Sequence, residues 1–330
     1  MMFAIIENAF LSILGSAVPA STVIVLAATG VLLNERVGVL NLGQEGFIAI
    51  GAVFTVISVQ EWGVENSWLA LLAGVLGAAV IGAFFALGVV VMRVSQVLVG
   101  LAVALGGVGL ANQLGTNRNG SPVPTEIQFS DLDPFGVFAD NEFFEAFLLH
   151  DPVTYLAYLV IPAALWFLLF RTRHGMVVRA VGENPGAVDA VGASVTGLRF
   201  FYTVVGSAIT GAAGAYMVLT ITPTWSPDIA RGRGWVALAV VIFAAWRPGR
   251  VVLGALLFGT MISFESTAKA RSWNLPFLAA VDMGFLLSML PYIVTLIVIL
   301  VPAGAAHMGR RIRATDAPAA LATPYLREER

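Results

Sequence analysis

One carboxylate stands well inside an otherwise apolar stretch: Glu45, in NERVGVLNLGQEGFIAIGA, Asn34–Ala52. Burying a charged carboxylate near mid-bilayer costs about 2.5–3.5 kcal/mol on insertion scales, so it should face protein or a water-filled cavity. Asn41 and Gln44 lie four and one residues before it, and Gly38, Gly43, Gly46 and Gly51 weaken the helix around it. Polar, glycine-interrupted stretches are tolerated at depth only where they are buried in protein or line a pathway. Two chemistries fit. Asn41, Gln44 and Glu45 either face a solute pathway or bond neighbouring helices together.

Covalent chemistry finds few candidates. The chain has one lysine, Lys269, and no GxxxxGK[ST], so it carries no Walker-type phosphate cradle. His150, His174 and His307 sit at or beyond the edges of apolar runs with no i, i+4 partner, which argues against a zinc site. Without cysteine there is no disulfide framework, thiolate metal site or redox centre. GGVGLAN (Gly106–Asn112) follows an apolar helix rather than a strand, so it reads as close helix packing through small residues. The paired aspartates or Ser-His arrangement of an intramembrane protease are not visible. Tryptophans fall near the ends of the apolar runs, where an aromatic belt accounts for them.

The elements that must position Glu45 are membrane helices. Hydrophobic residues make up 58% of the 330 and charged ones 12%, against about 25% charged in a typical soluble domain. Uncharged runs cover Asn8–Asn34, Asn66–Met92, Val94–Asn117, Pro152–Phe170, Phe200–Pro227 and Met283–Gly309. Each is long enough to span about 30 Å of hydrocarbon at about 1.5 Å per residue. Gly46–Gln60, Gly234–Trp246 and Val251–Phe264 are shorter and span only if flanking polar groups snorkel. The expected fold is therefore all-α: a polytopic transmembrane bundle of about nine spans.

Charge placement orients it. With Glu35–Arg36 cytosolic and the runs alternating, 13 of the 18 Lys and Arg fall inside; Arg118, Arg231, Arg233, Lys269 and Arg271 fall outside. The N-terminus is then outside and the C-terminus inside. Reading Gly234–Phe264 as a re-entrant hairpin would put Arg247 and Arg250 at membrane depth, so two short spans are expected. MMFAIIENAF lacks a basic n-region, so no cleaved signal peptide is expected. The loop Gln113–Asp151, with Pro122, Pro124 and Pro134, reads as an irregular external lid. Residues 1–308 form the transmembrane domain, and 309–330 a mostly disordered cytosolic tail, basic at its start.

Between Arg171 and Arg199 lies one long basic cytosolic loop, RTRHGMVVRAVGENPGAVDAVGASVTGLR. It carries the punctuation of a short helix over roughly Pro185–Val191. Asn184 suits the N-cap, Pro185 the first helical position and Gly192 the C-terminal stop. A helix of this length is not stable alone, so something must hold it.

Several of these segments carry a family resemblance in order along the chain. RAVGENP (Arg179–Pro185), followed by Ala187, Gly192 and Arg199, resembles the EAA-type coupling loop of bacterial ABC importer permeases. ERVGVLNLGQEG resembles the signature after the first helix of permeases in the simple-sugar, nucleoside and branched-chain amino acid importer superfamily. SQVLVGLAV (Ser95–Val103), GRGWVALAVVIFAAWRP (Gly232–Pro248), LLFG (Leu256–Gly259) and MLPYIVTL (Met289–Leu296) continue it, so the likeness covers about residues 20–300. Phe243–Pro248 departs from it: relatives tend to carry a glycine-basic pair before the tryptophan where this chain has Ala244 and Ala245.

The resemblance implies a permease subunit of an ATP-driven, binding-protein-dependent importer in a bacterial-type plasma membrane. Two such permeases, two ATPase subunits and an external substrate-binding protein would make the assembly, with a paralogous permease expected as the dimer partner. ATP and Mg would belong to the ATPase; this chain itself would bind no cofactor, metal or nucleic acid and catalyse no reaction. The implied coupling residues are Arg179, Gly182, Glu183, Asn184, Pro185, Ala187, Val188, Val191 and Gly192. Ala187, Val188 and Val191 would supply apolar contact, and Arg179, Glu183 and Asp189 a polar rim. A nucleoside is the first expectation for the solute and a simple sugar the second. An ion-coupled secondary transporter using Glu45, or a scaffold subunit, is the alternative.

Overall fold

The computed structural model describes residues 2–132, 148–270, 289–290, 293–297, 300 and 317–326. Among these the chain is helical with no strand beyond isolated bridges. Up to residue 270 its α-helices, with the π-turns that interrupt or end them, are α1 (Met2–Arg36), α2 (Gln44–Gln60), α3 (Ser67–Val91), α4 (Gln96–Gly115), α5 (Pro152–Arg171), α6 (Arg173–Glu183), α7 (Pro185–Ala190), α8 (Val195–Ile221), α9 (Arg233–Phe243) and α10 (Pro248–Ala270). Single turns of π-helix interrupt α5 and end α3 and α8.

Helix starts are written locally. Asn66 accepts from the N–H groups of Trp68 and Leu69, Asp151 from Thr154, Thr172 from Gly175 and Ser194 from Gly197. Each satisfies amides that a helix N-terminus leaves open.

Burial ranks the helices. From Ala17 to Arg36 nearly every side chain of α1 is buried, the mark of a helix packed on all sides. It lies along α8 and α10 and crosses α9. In α4, by contrast, only Gln96, Gly100, Ala104, Gly107, Ala111 and Gly115 are buried, a single stripe against α2. Where α2 meets α8 the backbones nearly touch: a Cβ at Gly51 would collide with the carbonyl of Gly211, and one at Gly214 with that of Ile48. At one end of the bundle a buried network joins three helices. Tyr216 O–H and Thr154 O–H both donate to Oδ2 of Asp151 at 2.8 Å, and Thr22 of α1 pairs with Thr154. There the described part of the loop after α4, as far as Leu132, rests on 222–225, with Gly120 N–H donating to Trp225 O and Val123 N–H to Pro223 O.

Among the described residues six helices are long and apolar enough to cross a membrane: Phe10–Arg36, Ser67–Val91, Gln96–Arg118, Pro152–Arg171, Val195–Ile221 and Pro248–Ala270. Two of the three short runs part company here. Val251–Phe264 sits within the 23-residue α10, because Arg250 and Glu265 bound the uncharged run but not the helix. Gly234–Trp246 yields only the 11 residues of α9, about 16 Å of helix, roughly half a bilayer core. Gly46–Gln60 becomes the 17-residue α2. Most of Met283–Gly309 lies outside the described residues.

The loop 171–199 holds more structure than one short helix. α6 precedes α7 and buries Val178 and Val181 against the bundle. The segment 317–326 falls in the stretch expected to be a disordered tail, yet it lies folded against this loop. Ala320 N–H donates to Gly182 O at 2.8 Å, and Arg199 Nη1 donates to Thr323 O at 2.9 Å. Ala317, Leu321 and Tyr325 pack on the core. Low complexity in sequence thus conceals a strap tied down through its own main-chain atoms.

Candidate functional site

Glu45 opens α2 and faces the start of α9. The loop before α9 contains three left-handed residues within five positions: Asp228 (φ 53°), Arg231 (φ 47°) and Gly232 (φ 81°). Left-handed backbone costs a residue with a Cβ roughly 1–2 kcal/mol, so neighbours must hold such a loop. Glu45 is one of them. Gly232 N–H donates to its Oε1 at 2.6 Å and Gly234 N–H to its Oε2 at 2.9 Å. These amides belong to the open first turn of α9, where a carboxylate also meets the positive end of the helix dipole. Gly234 is required by contact, since a Cβ there would run into the Glu45 amide nitrogen. Asn112 of α4 holds the other side of the loop, donating to Asp228 Oδ1 at 2.9 Å and accepting from its N–H at 3.1 Å.

Asn41 and Gln44 stand apart from Glu45. Both are fully buried. Thr210 O–H donates to Gln44 Oε1 at 2.7 Å, Gln44 Nε2 donates to Asn41 O, and Asn41 Oδ1 accepts from Gly43 N–H. In the amide orientation that satisfies both of its ends, Asn34 donates to Tyr202 O at 2.9 Å and accepts from Asn41 Nδ2 at 2.8 Å. These two amides therefore join α8 to the loop between α1 and α2. Glu45 alone of the three is part-exposed.

The sequence sets Arg233 outside the membrane and Glu45 within a span; the structure brings the two positions together. Arg233 sits between the two residues whose amides bind Glu45, so the guanidinium and the carboxylate share one level of the bundle. Nothing local in the sequence could have paired position 45 with positions 232–234. The hint was GRG before an apolar run, two glycines framing a charge.

At the other end of α9, Trp246 closes a second junction. Its indole N–H donates to Glu35, and its carbonyl accepts from Arg36 Nε at 3.1 Å and Nη2 at 2.6 Å. The turn passes through two consecutive left-handed residues, Ala245 (φ 49°) and Trp246 (φ 53°). Left-handed backbone costs each of these residues roughly 1–2 kcal/mol, so neighbours must hold this turn as well. The Glu-Arg pair ending α1 thus holds the α9–α10 turn.

Beside this turn lie the residues expected to couple. Asn184 caps α7, its Oδ1 accepting from Ala187 N–H at 3.0 Å; Pro185 is the first helical residue, and Gly192 follows at φ 85°. Ala187 is exposed, and Val191 is 82% exposed. Val188 is not offered outward: it is 4% exposed and belongs to the chain's own core. Arg179 turns inward too, donating from Nε to Leu169 O at 2.9 Å with its guanidinium over the Phe170 ring. Glu183 accepts from Ala319 N–H of the strap at 3.2 Å. Gly182 is buried where a side chain would strike Arg36 O. A cleft of about 800 Å³ opens alongside, lined by Arg36, Arg179, Arg247 and Arg250 with Trp166 and Phe170. Among the described residues no cluster of acidic or histidine side chains is arranged to hold a metal ion.

A bundle with six spanning-length helices, one half-length helix capped by a carboxylate, and a capped helix presented at its basic end is built as a membrane permease. Residues 13–301 match the family described as branched-chain amino acid transport system / permease component, and the chain belongs to that family. The putative glucose ABC transporter permease protein TsgC13 of Haloferax volcanii is 34% identical over 79% of this chain and 78% of its own. The guanosine ABC transporter permease protein NupQ of Bacillus subtilis is 29% identical over 96% and 98% respectively. The nucleoside ABC transporter permease protein NupC of Lactococcus lactis is 28% identical over 84% and 88%. The chain is thus an ABC transporter permease, a multi-pass protein of the plasma membrane, and the ion-coupled alternative finds no relative here.

Proposed function

We propose that this permease forms the translocation pathway of a binding-protein-dependent importer for a nucleoside or, second, a simple sugar. The observation that carries the reading is the end-to-end likeness to a permease whose name specifies guanosine, at 96% of this chain. The glucose permease is more identical over a shorter stretch, which keeps sugars in play. Solute passes Glu45 and the start of α9, with Asn41 and Gln44 behind the carboxylate fixing its helix against α8. A half-length helix with its amide end at a polar residue is how transporters build sites inside a membrane.

Coupling runs through α7. Its exposed Ala187 and Val191 dock on an ATPase subunit, which holds ATP and Mg, while Val188 anchors the helix to the permease. Movement of α7 passes through α6 to the Glu35–Arg36–Trp246 junction and so to α9, a rigid-body route between two packings. An external N-terminus and an internal C-terminus go with this reading, because they set α7 on the ATPase side; the nine spans expected from the sequence hold only if the half-length α9 is completed by its flanking loops. The dimer partner is a paralogous permease, and an external binding protein delivers the solute.

Uptake by cells co-expressing the neighbouring ATPase, second permease and binding protein tests the proposal. Labelled guanosine should accumulate in an ATP-dependent manner, with glucose as the second substrate tried. Accumulation that survives removal of the ATPase would defeat it, as would active complexes with two copies of this chain and no second permease for the heterodimer.

A further inference from the structure

Arg233 is a cation in an unusual position. It is the first residue of α9, flanked by the two glycines whose amides hold Glu45. Among the described residues its buried Nε has no hydrogen-bond partner, and Nη1 donates to Ile229 O at 3.4 Å. Glu45 and Glu265 are the carboxylates whose fields it feels, yet no ion pair joins Arg233 to either. An unsatisfied buried guanidinium donor is costly, so it calls for an acceptor. Glu45 is the reverse case. Each of its oxygens accepts one backbone amide and retains capacity for a further donor.

The loop beside this pair is held in a strained shape. Asp228, Arg231 and Gly232 are left-handed, and the Asn112–Asp228 exchange clamps the loop to α4. Strain of this kind persists only where surrounding contacts enforce it, and it concentrates at binding sites. The outcome is one donor group and one acceptor group at the same level beside a part-exposed surface. Neither is needed to complete the other.

We propose that Arg233 and Glu45 together form a hydrogen-bonding site for vicinal hydroxyls of the permeating solute, the guanidinium donating to one hydroxyl and the carboxylate accepting from its neighbour. Nucleosides and simple sugars both carry such a diol. The site rests on the import reading above and adds to it the group that is recognised. It also makes Arg233 a solute-contacting residue, where the charge count had set it outside the membrane.

The test uses the complete assembly in proteoliposomes, with labelled guanosine and labelled glucose as probes. Arg233→Gln should raise the apparent KM for the transported probe by roughly tenfold or more, the loss expected for a bond to a charged donor, while ATPase binding and basal ATP hydrolysis stay at wild-type level. Arg233→Lys, which keeps charge but loses the planar fork, should fall between. If guanosine is transported, wild type should prefer it to 2′,3′-dideoxyguanosine, and Arg233→Gln should shrink that preference. Unchanged KM and unchanged preference in Arg233→Gln overturn the proposal. So does loss of assembly in both variants, which would make Arg233 a structural cation. Failure of the wild-type assembly to take up either probe sinks the import reading, and this one with it.

Discussion

The two ends of α9 solve one problem with different means. At the Glu45 end a single carboxylate holds two amides of a strained loop, part-exposed, beside a guanidinium whose Nε is unpaired. At the Trp246 end the indole, its carbonyl, Glu35 and Arg36 close on one another, with Glu35, Arg36 and Trp246 nearly fully buried. The second junction is finished within the chain. The first leaves donors and acceptors over. Buried polar groups cost free energy unless satisfied, so the spare capacity at the Glu45 end leaves room for a further partner. The contrast fits the proposal made above, with rigidity at the Trp246 end and solute contact at the Glu45 end. α7, linked through α6 to the rigid end, is placed to drive it.

The largest effect should come from severing that drive. Ala187→Arg puts a bulky charge on the exposed face of α7, costing on the order of a few kcal/mol of ATPase docking. The permease itself should lose less than about 0.5 kcal/mol, since the site is exposed. Uptake should vanish and the ATPase should be absent from the purified complex, while membrane insertion stays normal. Full uptake with a bound ATPase would make the loop a mere linker. Val188→Arg should behave differently: it buries a charge in the chain's own core and should lower the amount of folded permease.

Next comes the Glu45 end itself. Glu45→Gln keeps the shape but offers one acceptor where two amides need one each, and its NH₂ faces a donor. Glu45→Ala frees both amides, at about 1–3 kcal/mol for buried groups left unsatisfied. If the carboxylate meets solute, Glu45→Gln loses transport while assembly stays near normal. If it is only a joint, yield and thermal midpoint fall in both variants and transport per assembled complex does not. Equal uptake in wild type and Glu45→Gln would remove any role for the charge.

How much of this contrast could be read from sequence follows from its range. The cap at Asn184, the proline after it and the glycine at 192 act within a few residues, so α7 was legible to within a residue at its end. The α10 boundary was not, because Arg250 and Glu265 are tolerated in a helix longer than its uncharged run. Glu45 stood out as a carboxylate in an apolar run, but its partners lie 187 and 189 positions away and bind through backbone amides, which carry no sequence signature. Val188 and Val191 look alike in sequence. Only packing against the bundle turns the first inward and leaves the second at the surface. The strap was hidden for the same reason as Glu45's partners: its bonds to Gly182 and Arg199 are made by main-chain atoms.

A smaller effect probes the strain. Gly232 holds φ 81°, and an alanine there should cost roughly 1–2 kcal/mol if the loop keeps its shape. Gly192, at φ 85° behind α7 with open space around it, should cost a similar amount when replaced by alanine, but locally. The comparison predicts that Gly232→Ala raises KM, because it displaces the amides that orient Glu45. Gly192→Ala should instead weaken ATPase retention at unchanged KM. Swapped outcomes would reverse the roles given to the two regions.

The smallest effect should come from the strap. Its segment 317–326 is held to the basic end by three bonds, from Ala320 N–H to Gly182 O, from Ala319 N–H to Glu183 and from Arg199 to Thr323 O. Each is worth about 0.5–1.5 kcal/mol net, somewhat more where a charged group takes part. Two of the three attach to the last residues of α6, immediately before α7. Deleting residues 317–330 should therefore leave the bundle intact and loosen the loop that carries α7. The expected readouts are faster proteolysis between Asn184 and Gly192 and a fall in ATPase retention of a few-fold, with transport KM unchanged. A truncated chain that changes KM would mean that the strap acts on the Glu45 end, and would remove the separation between the two ends of α9.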